Sequence, residues 1–235
     1  MKRYGWLLGC CLFLSIGMLW AADEPDLRML QQKAAQSRDM EGYVGVCKYL
    51  YQTEENPELL LLYADSIHQL ATKSKKPEQL VEYYIWASEG NFIKGDFQQG
   101  YALKRKAIAL AEKAGLKFAI SQSCCDMGYY CNVDARYDSA RYYFRKGLEA
   151  GEDLSEAGEA CRTMLTNYAS SFLFEGKTDS ALVYTIRASE RSAADKDTAM
   201  LIENLNQLGT IYRRKKNLEN CIANFEQALH LCELR

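Results

Sequence analysis

The sequence predicts an all-α protein, an α-solenoid of antiparallel helix hairpins wound into a right-handed superhelix. Three observations predict it. The stretch from Met127 to Gly147 reads as a helix, a tight turn and a second helix. The same design recurs along the chain at a period near 40 residues. The composition is that of a helical globular chain: 235 residues, 48% hydrophobic, 26% charged, with only 3 Pro to interrupt helices.

Within that stretch, Gly128 on the first helix and Ala140 on the second are small residues at the expected crossing, where two axes can approach to roughly 8–10 Å. Met127 and Cys131 flank Gly128 on one face. Ala140, Phe144 and Gly147 fall at i, i+4 and i+7, an apolar stripe. Asp138 or Ser139 is the expected cap of the second helix. Sliding the template along the chain, Ala140 is matched by Leu60, Gly100, Ala181 and Cys221. Gly128 is matched by Ser88, Ala169 and Gly209, and by Lys48 in the first copy. Gly147 is matched by Ile67, Ala107, Ala188 and Ala228. Phe144 is kept as Phe225 but becomes Ala64, Lys104 and Thr185 elsewhere. Self-similarity at a fixed period of this size is the mark of a solenoid.

These residues resemble the tetratricopeptide repeat, most closely in the last copy: Leu208-Gly209, Tyr212, Cys221, Phe225 and Ala228. The family period is about 34 residues. The longer spacing here is similar to the forty-residue variant of bacterial maltose-regulator-type proteins and kinesin light chains. The resemblance covers residues 40–235 and implies a right-handed superhelix whose first helices line a partner-binding face. It also implies a protein or peptide partner, in the setting of the sensory region of a bacterial signalling system. Chaperone-binding members of the family grip a terminal carboxylate with Lys and Asn. The matching places hold Cys125 and Tyr129, Thr166 and Ser170, and Asn206 and Thr210, so that grip is missing.

In chain order, residues 1–21 read as a secretory signal. Lys2 and Arg3 are its basic start, Trp6 to Trp20 its apolar core and Ala21 a small cleavage residue. An uncleaved inner-membrane anchor is the alternative, and Leu7-Leu8-Gly9-Cys10 resembles a short lipobox. Residues 22–39 are expected to form a capping helix, with Leu27, Leu30 and Ala34 on one face; a stack needs such a cap to cover its terminal apolar surface. Residues 40–235 hold five hairpins. Asn56-Pro57 and Lys76-Pro77 open helices, since Pro fits the first helical position. Gly95 and Gly115 punctuate the second hairpin, Gly151 to Asp153 breaks the chain before a helix over 155–174, and Gly176 to Asp179 turns the fourth.

The function classes narrow by elimination. Net charge is −2, no basic stripe with interleaved aromatics is present, and the short basic run Arg213 to Lys216 falls at a turn, so nucleic acid is not the expected partner. Only His68 and His230 are present, far apart in the stack. There is no phosphate loop or nucleophile elbow, so neither catalysis nor a cofactor is expected. Seven cysteines follow the signal: Cys47, Cys124, Cys125, Cys131, Cys161, Cys221 and Cys232. Their spacing suits packing rather than zinc. The expected role is partner binding outside the cytoplasm, in the periplasm, with a structural scaffold of the cell envelope as the alternative. The membrane would be touched only through an uncleaved N-terminal segment. The candidate binding face consists of Glu82 and Glu89 in the second repeat, Gln122, Tyr129 and Asn132 in the third, Thr166 and Ser170 in the fourth, and Asn206, Thr210 and Arg213 in the fifth.

Overall fold

A computed structural model describes residues 27–53 and 56–234. The segment at 1–21, read from the sequence as a signal, lies outside them. The described residues form eleven α-helices with no strand: α1 (Leu27–Ser37), α2 (Met40–Thr53), α3 (Pro57–Ser74), α4 (Pro77–Lys94), α5 (Phe97–Ala114), α6 (Lys117–Val133), α7 (Tyr137–Gly151), α8 (Gly158–Phe174), α9 (Thr178–Ala194), α10 (Thr198–Arg214) and α11 (Leu218–Glu233). A short 3-10 turn, Ser155–Ala157, precedes α8, so the helix expected from Ser155 starts three residues later. Each helix packs on its neighbours in the chain, giving five hairpins, α2/α3 to α10/α11, with α1 laid against α2. None of the described helices is long and apolar enough to cross a membrane.

The packing positions predicted by the repeat are buried throughout: Ser88 and Ala169, Leu60 and Ala181, Ile67, Ala107 and Ala188 all have no exposed surface. The first copy is the exception. Lys48 is exposed and Cys47 is buried in its place. Thirteen residues separate Cys47 from Leu60, against twelve from Gly128 to Ala140, although both connections leave three residues between their helices, so the buried face of this hairpin is set one residue differently.

The small residues are there because a large one lies on them. The Phe144 ring occupies the space a Cβ on Gly128 would need, and the Phe225 ring would stand 2.8 Å from a Cβ on Gly209. In the second hairpin the relation is reversed. Phe92 on the first helix covers Gly100 on the second, at 2.7 Å from a Cβ built there. At the amino end, a Cβ on Gly42 would lie 2.9 Å from the Cα of Ala34, so α1 seats tightly on the stack.

Turn chemistry explains the helix boundaries. Asn56, Asp96, Asp197 and Asn217 accept backbone N–H bonds at the starts of α3, α5, α10 and α11. Helix α7 does not use the expected Asp138 or Ser139: it starts at Tyr137, with Arg136 before it and no side-chain cap. Ala135 takes the left-handed conformation (φ 57°), and the Arg136 N–H donates to Cys131 O at 2.8 Å. With this Schellman-type closure the next helix begins two residues sooner than a cap at Asp138 would set. The same turn recurs at Gly176, Lys196 and Lys216.

The Gly128–Phe144 contact is testable. Gly128→Ala should destabilise the fold by about 1–3 kcal/mol in urea unfolding, because the added methyl overpacks a filled site. Adding Phe144→Leu should recover part of that loss; full additivity of the two losses would show that the methyl and the ring do not compete for space.

Candidate functional site

The first helices of successive hairpins form one layer, and their side away from the second helices is the candidate face. Helices α6, α8 and α10 are stitched to each other by polar side chains. Asn132 Nδ2 donates to Asn167 O at 2.9 Å, Thr166 Oγ1 donates to Asn204 Oδ1 at 2.9 Å, and Gln207 Nε2 donates to Ser170 Oγ at 2.7 Å. Asn204 Nδ2 continues to Ser192 Oγ at 3.1 Å, and Thr185 Oγ1 donates to Gln207 Oε1 at 3.0 Å. Arg162 fixes the turn before α10, with Nε on Asp197 at 2.9 Å and Nη1 on Asp195 at 3.0 Å. Directional bonds therefore set the register of the layer.

This packing sorts the predicted face. Tyr129, Asn206 and Arg213 are exposed; Glu82, Gln122, Ser170 and Thr210 are half-buried. Glu89, Asn132 and Thr166 are corrections: they are 2%, 8% and 2% exposed and serve the inside of the stack. On α6 the open line runs through Phe118, Gln122, Asp126, Tyr129 and Val133. Cys125 and Asn132, placed on the face by the repeat template, turn inward instead because the neighbouring first helices pack closely. The corresponding lines are Thr163, Asn167, Ser170 and Phe174 on α8, and Glu203, Gln207, Thr210 and Arg214 on α10. Tyr129 stands edge-on to Tyr130, with ring centroids 5.5 Å apart.

Behind this face, between the second and third hairpins, lies a buried ionic cluster. Lys104 has no exposed surface. Its Nζ pairs with Glu89 and, at 2.9 Å, with Asp126 Oδ2. Tyr130 Oη donates to Glu89 Oε2 at 2.8 Å, and the Tyr130 ring stacks on Phe92 at 3.6 Å. Tyr51, which reaches the cluster from α2, meets Trp86 edge-on at 6.2 Å; Trp86 Nε1 donates to Glu82 Oε2 at 2.9 Å. Burial alone would depress the Lys104 ammonium, but the Asp126 and Glu89 carboxylates outweigh it and hold the pKa above its ordinary value. For Glu89 the balance goes the other way: burial raises its pKa, and Lys104 only partly opposes this. Burial also raises Glu82. The sequence carried a signal for this cluster, a Lys at the place where the third and fifth repeats put Phe. Its acidic partners come from two other helices, which no periodicity pairs with it.

Among the described residues no group of three or more His, Cys, Asp or Glu could hold a metal ion. The surface depressions are shallow. One of about 310 Å³ lies at the α6–α7 turn between Ala135, Asp138 and Glu175, and one of about 200 Å³ lies between α1 and α2. His68 stacks on Tyr83 at 4.2 Å.

No protein-family model matches the chain, and no curated relative matches it. Solved structures do match. BtubC (BKLC) from P. vanneervenii has 13% identity and a TM-score of 0.71, over 88% of this chain and 87% of that one. The apo form of RapI has 10% identity and a TM-score of 0.67, over 88% of this chain and 58% of RapI. At these identities the likeness is one of fold. The chain is a helical-repeat protein, a stack of antiparallel hairpins.

Two predictions follow from the buried groups. An acid whose pKa is raised on folding contributes stability below its ordinary pKa, about 4.3 for Glu. That stability is lost as pH rises through the folded value. The melting temperature of the native chain, measured against Glu89→Gln, should therefore fall across that window and level off above it; a flat difference would remove Glu89 from the pH dependence. The second concerns thiols. Cys47 and Cys124 are pushed up to about 12 by burial, and of the seven described cysteines only Cys232 is exposed. A disulfide reagent at neutral pH should modify Cys232 quickly and the other six only in denaturant.

Proposed function

We propose that this chain is an exported, non-enzymatic tetratricopeptide-type protein of the forty-residue variant, which binds a protein or peptide partner on the open face of its first helices. The observation that carries the reading is the layer itself. Gln122, Tyr129, Ser170 and Thr210 stand in an accessible row on helices locked together by the Asn132, Thr166 and Gln207 hydrogen bonds. A long, open, mixed polar and aromatic surface suits an extended polypeptide, whereas small molecules are usually held in enclosed concave sites. Tyrosine adds contact area at low entropic cost. Export rests on the N-terminal segment, with its basic start and apolar core, and places the chain in the periplasm, or at the inner membrane if the segment is retained. The sensory or partner-binding part of a bacterial signalling system is the setting this reading fits.

The second reading is an envelope scaffold that makes its contacts through the end of the stack. It is favoured by α11, whose Leu218, Ile222 and Leu229 are 65%, 55% and 60% exposed.

Photocrosslinking separates the two. A crosslinker at position 129 or 210 should capture a partner, and one at position 222 should not. Tyr129→Ala and Thr210→Ala should weaken that capture with helicity unchanged. Capture only from position 222 would favour the scaffold and sink the face assignment.

A further inference from the structure

We infer that the open face of the first helices is selective for a cationic polypeptide segment, one that carries Lys or Arg side chains at intervals, and that Glu82, Asp126 and Glu203 receive those charges. This rests on the reading of that face as the binding surface, and names the class of partner the face takes. Glu82, Gln122, Thr163 and Glu203 hold the same place in successive first helices, six residues before Ser88, Gly128, Ala169 and Gly209. One turn earlier, Glu78 on α4 and Glu159 on α8 are exposed. From α4 to α10 the open lines therefore carry Glu78, Glu82, Asp126, Glu159 and Glu203 against one open cation, Arg214, whose Nη1 already donates to Leu173 O at 2.8 Å. Lys48, which acts on Glu82 from α2, bounds the acidic run at its amino end. The exposed Arg105, Lys106, Arg145 and Arg187 all lie on second helices, in the other layer. The small net charge of −2 thus conceals an acidic face.

Glu203 is the clearest case. It is half-buried and makes no hydrogen bond or ion pair with any described residue. Burial raises its pKa, and the Asp197 charge adds to the effect. A carboxylate held partly out of water beside a second acid, with no cation to offset it, is stabilised by an incoming ammonium or guanidinium. Asp126 meets Lys104 through Oδ2 alone, and its side chain is 24% exposed. Apolar surface stands beside these acids: Phe118, Tyr129 and Val133 on α6 and Phe174 on α8 are all exposed. Ring and carboxylate together suit Lys and Arg, since the ring takes the stem or the face of the cation and the acid takes the head. A neutral segment would cover the same rings but leave the half-buried acids desolvated and unpaired. An acidic one would add repulsion. Packed helices stand roughly 10 Å apart, so the four helices span about 30 Å, which about nine extended residues cover.

Fluorescence anisotropy on the full chain tests this with three labelled decapeptides: alternating Lys and Ser, alternating Gln and Ser, and alternating Glu and Ser. The Lys peptide should bind and should weaken as salt is raised. The other two should bind roughly tenfold more weakly or not at all. Glu82→Gln and Glu203→Gln should each cost the Lys peptide about threefold in affinity, with helicity unchanged. Glu219→Gln and Glu226→Gln, at exposed positions of α11, should cost nothing. A Lys peptide that binds no better than the Gln peptide would overturn the selection. So would an affinity untouched in the folded face variants, or an equal loss from the α11 substitutions. Crosslinking from position 129 keeps this apart from the face itself: a captured segment that is neutral or acidic overturns the cationic selection and leaves the binding face standing, whereas no capture from positions 129 and 210 removes both.

Discussion

The fold depends on the close approach of the two helices of each hairpin, and in three of the five a ring on one lies in the space left by a missing side chain on the other. Phe144 on Gly128 and Phe225 on Gly209 are that contact in its usual sense, and Phe92 on Gly100 is the same contact reversed. Burying a side chain such as Phe144 or Phe92 contributes about 1.5–3 kcal/mol of hydrophobic stabilisation; these rings, and the partly exposed Phe225, also fix the distance between axes. With that distance fixed, the next small positions, Gly147 and Ala188 among them, become the surfaces on which the following hairpin rests. The repeat period is the sequence-level trace of this constraint.

The reversed contact in the second hairpin has a consequence one turn away. Since Phe92 supplies the ring, position 104 has no aromatic to carry, and Lys104 fills it with a charge that needs partners. Those partners, Glu89 and Asp126, come from the neighbouring first helices α4 and α6. Ionic contact is thus added there to the apolar contact of Phe92 with Tyr130. Further along, hydroxyl and amide groups do comparable work: Thr166 with Asn204, and Ser170 and Thr185 with Gln207. These bonds keep the first helices in register behind a solvent-facing row of modest polarity.

Much of the architecture was legible because it is local and repeated. Gly128, Ala140 and Gly147 and their matches gave the hairpins, and Asn56, Gly95 and Gly115 gave their ends. The open face was legible only in part. Tyr129 stands where the template puts it, whereas Asn206 and Arg213 are exposed but lie beside the α10 line of Glu203, Gln207, Thr210 and Arg214. Glu89, Asn132 and Thr166 are buried, since their accessibility depends on how closely the next first helix approaches. The Lys48 assignment missed by one residue, since Cys47 is the side chain buried there and Lys48 is exposed.

The sequence by itself determined the fold class, the number of hairpins and the residues at their crossings, because helix period, small-residue spacing and turn chemistry act between residues near in the chain. Only the tertiary structure decided that Glu89 and Asp126 meet Lys104 in one buried cluster beside Met127–Gly147, and that half-buried and exposed side chains alternate as they do along the face. Those properties depend on distances between helices that meet only after folding, and on which charges then share a medium too poor in water to leave them unpaired.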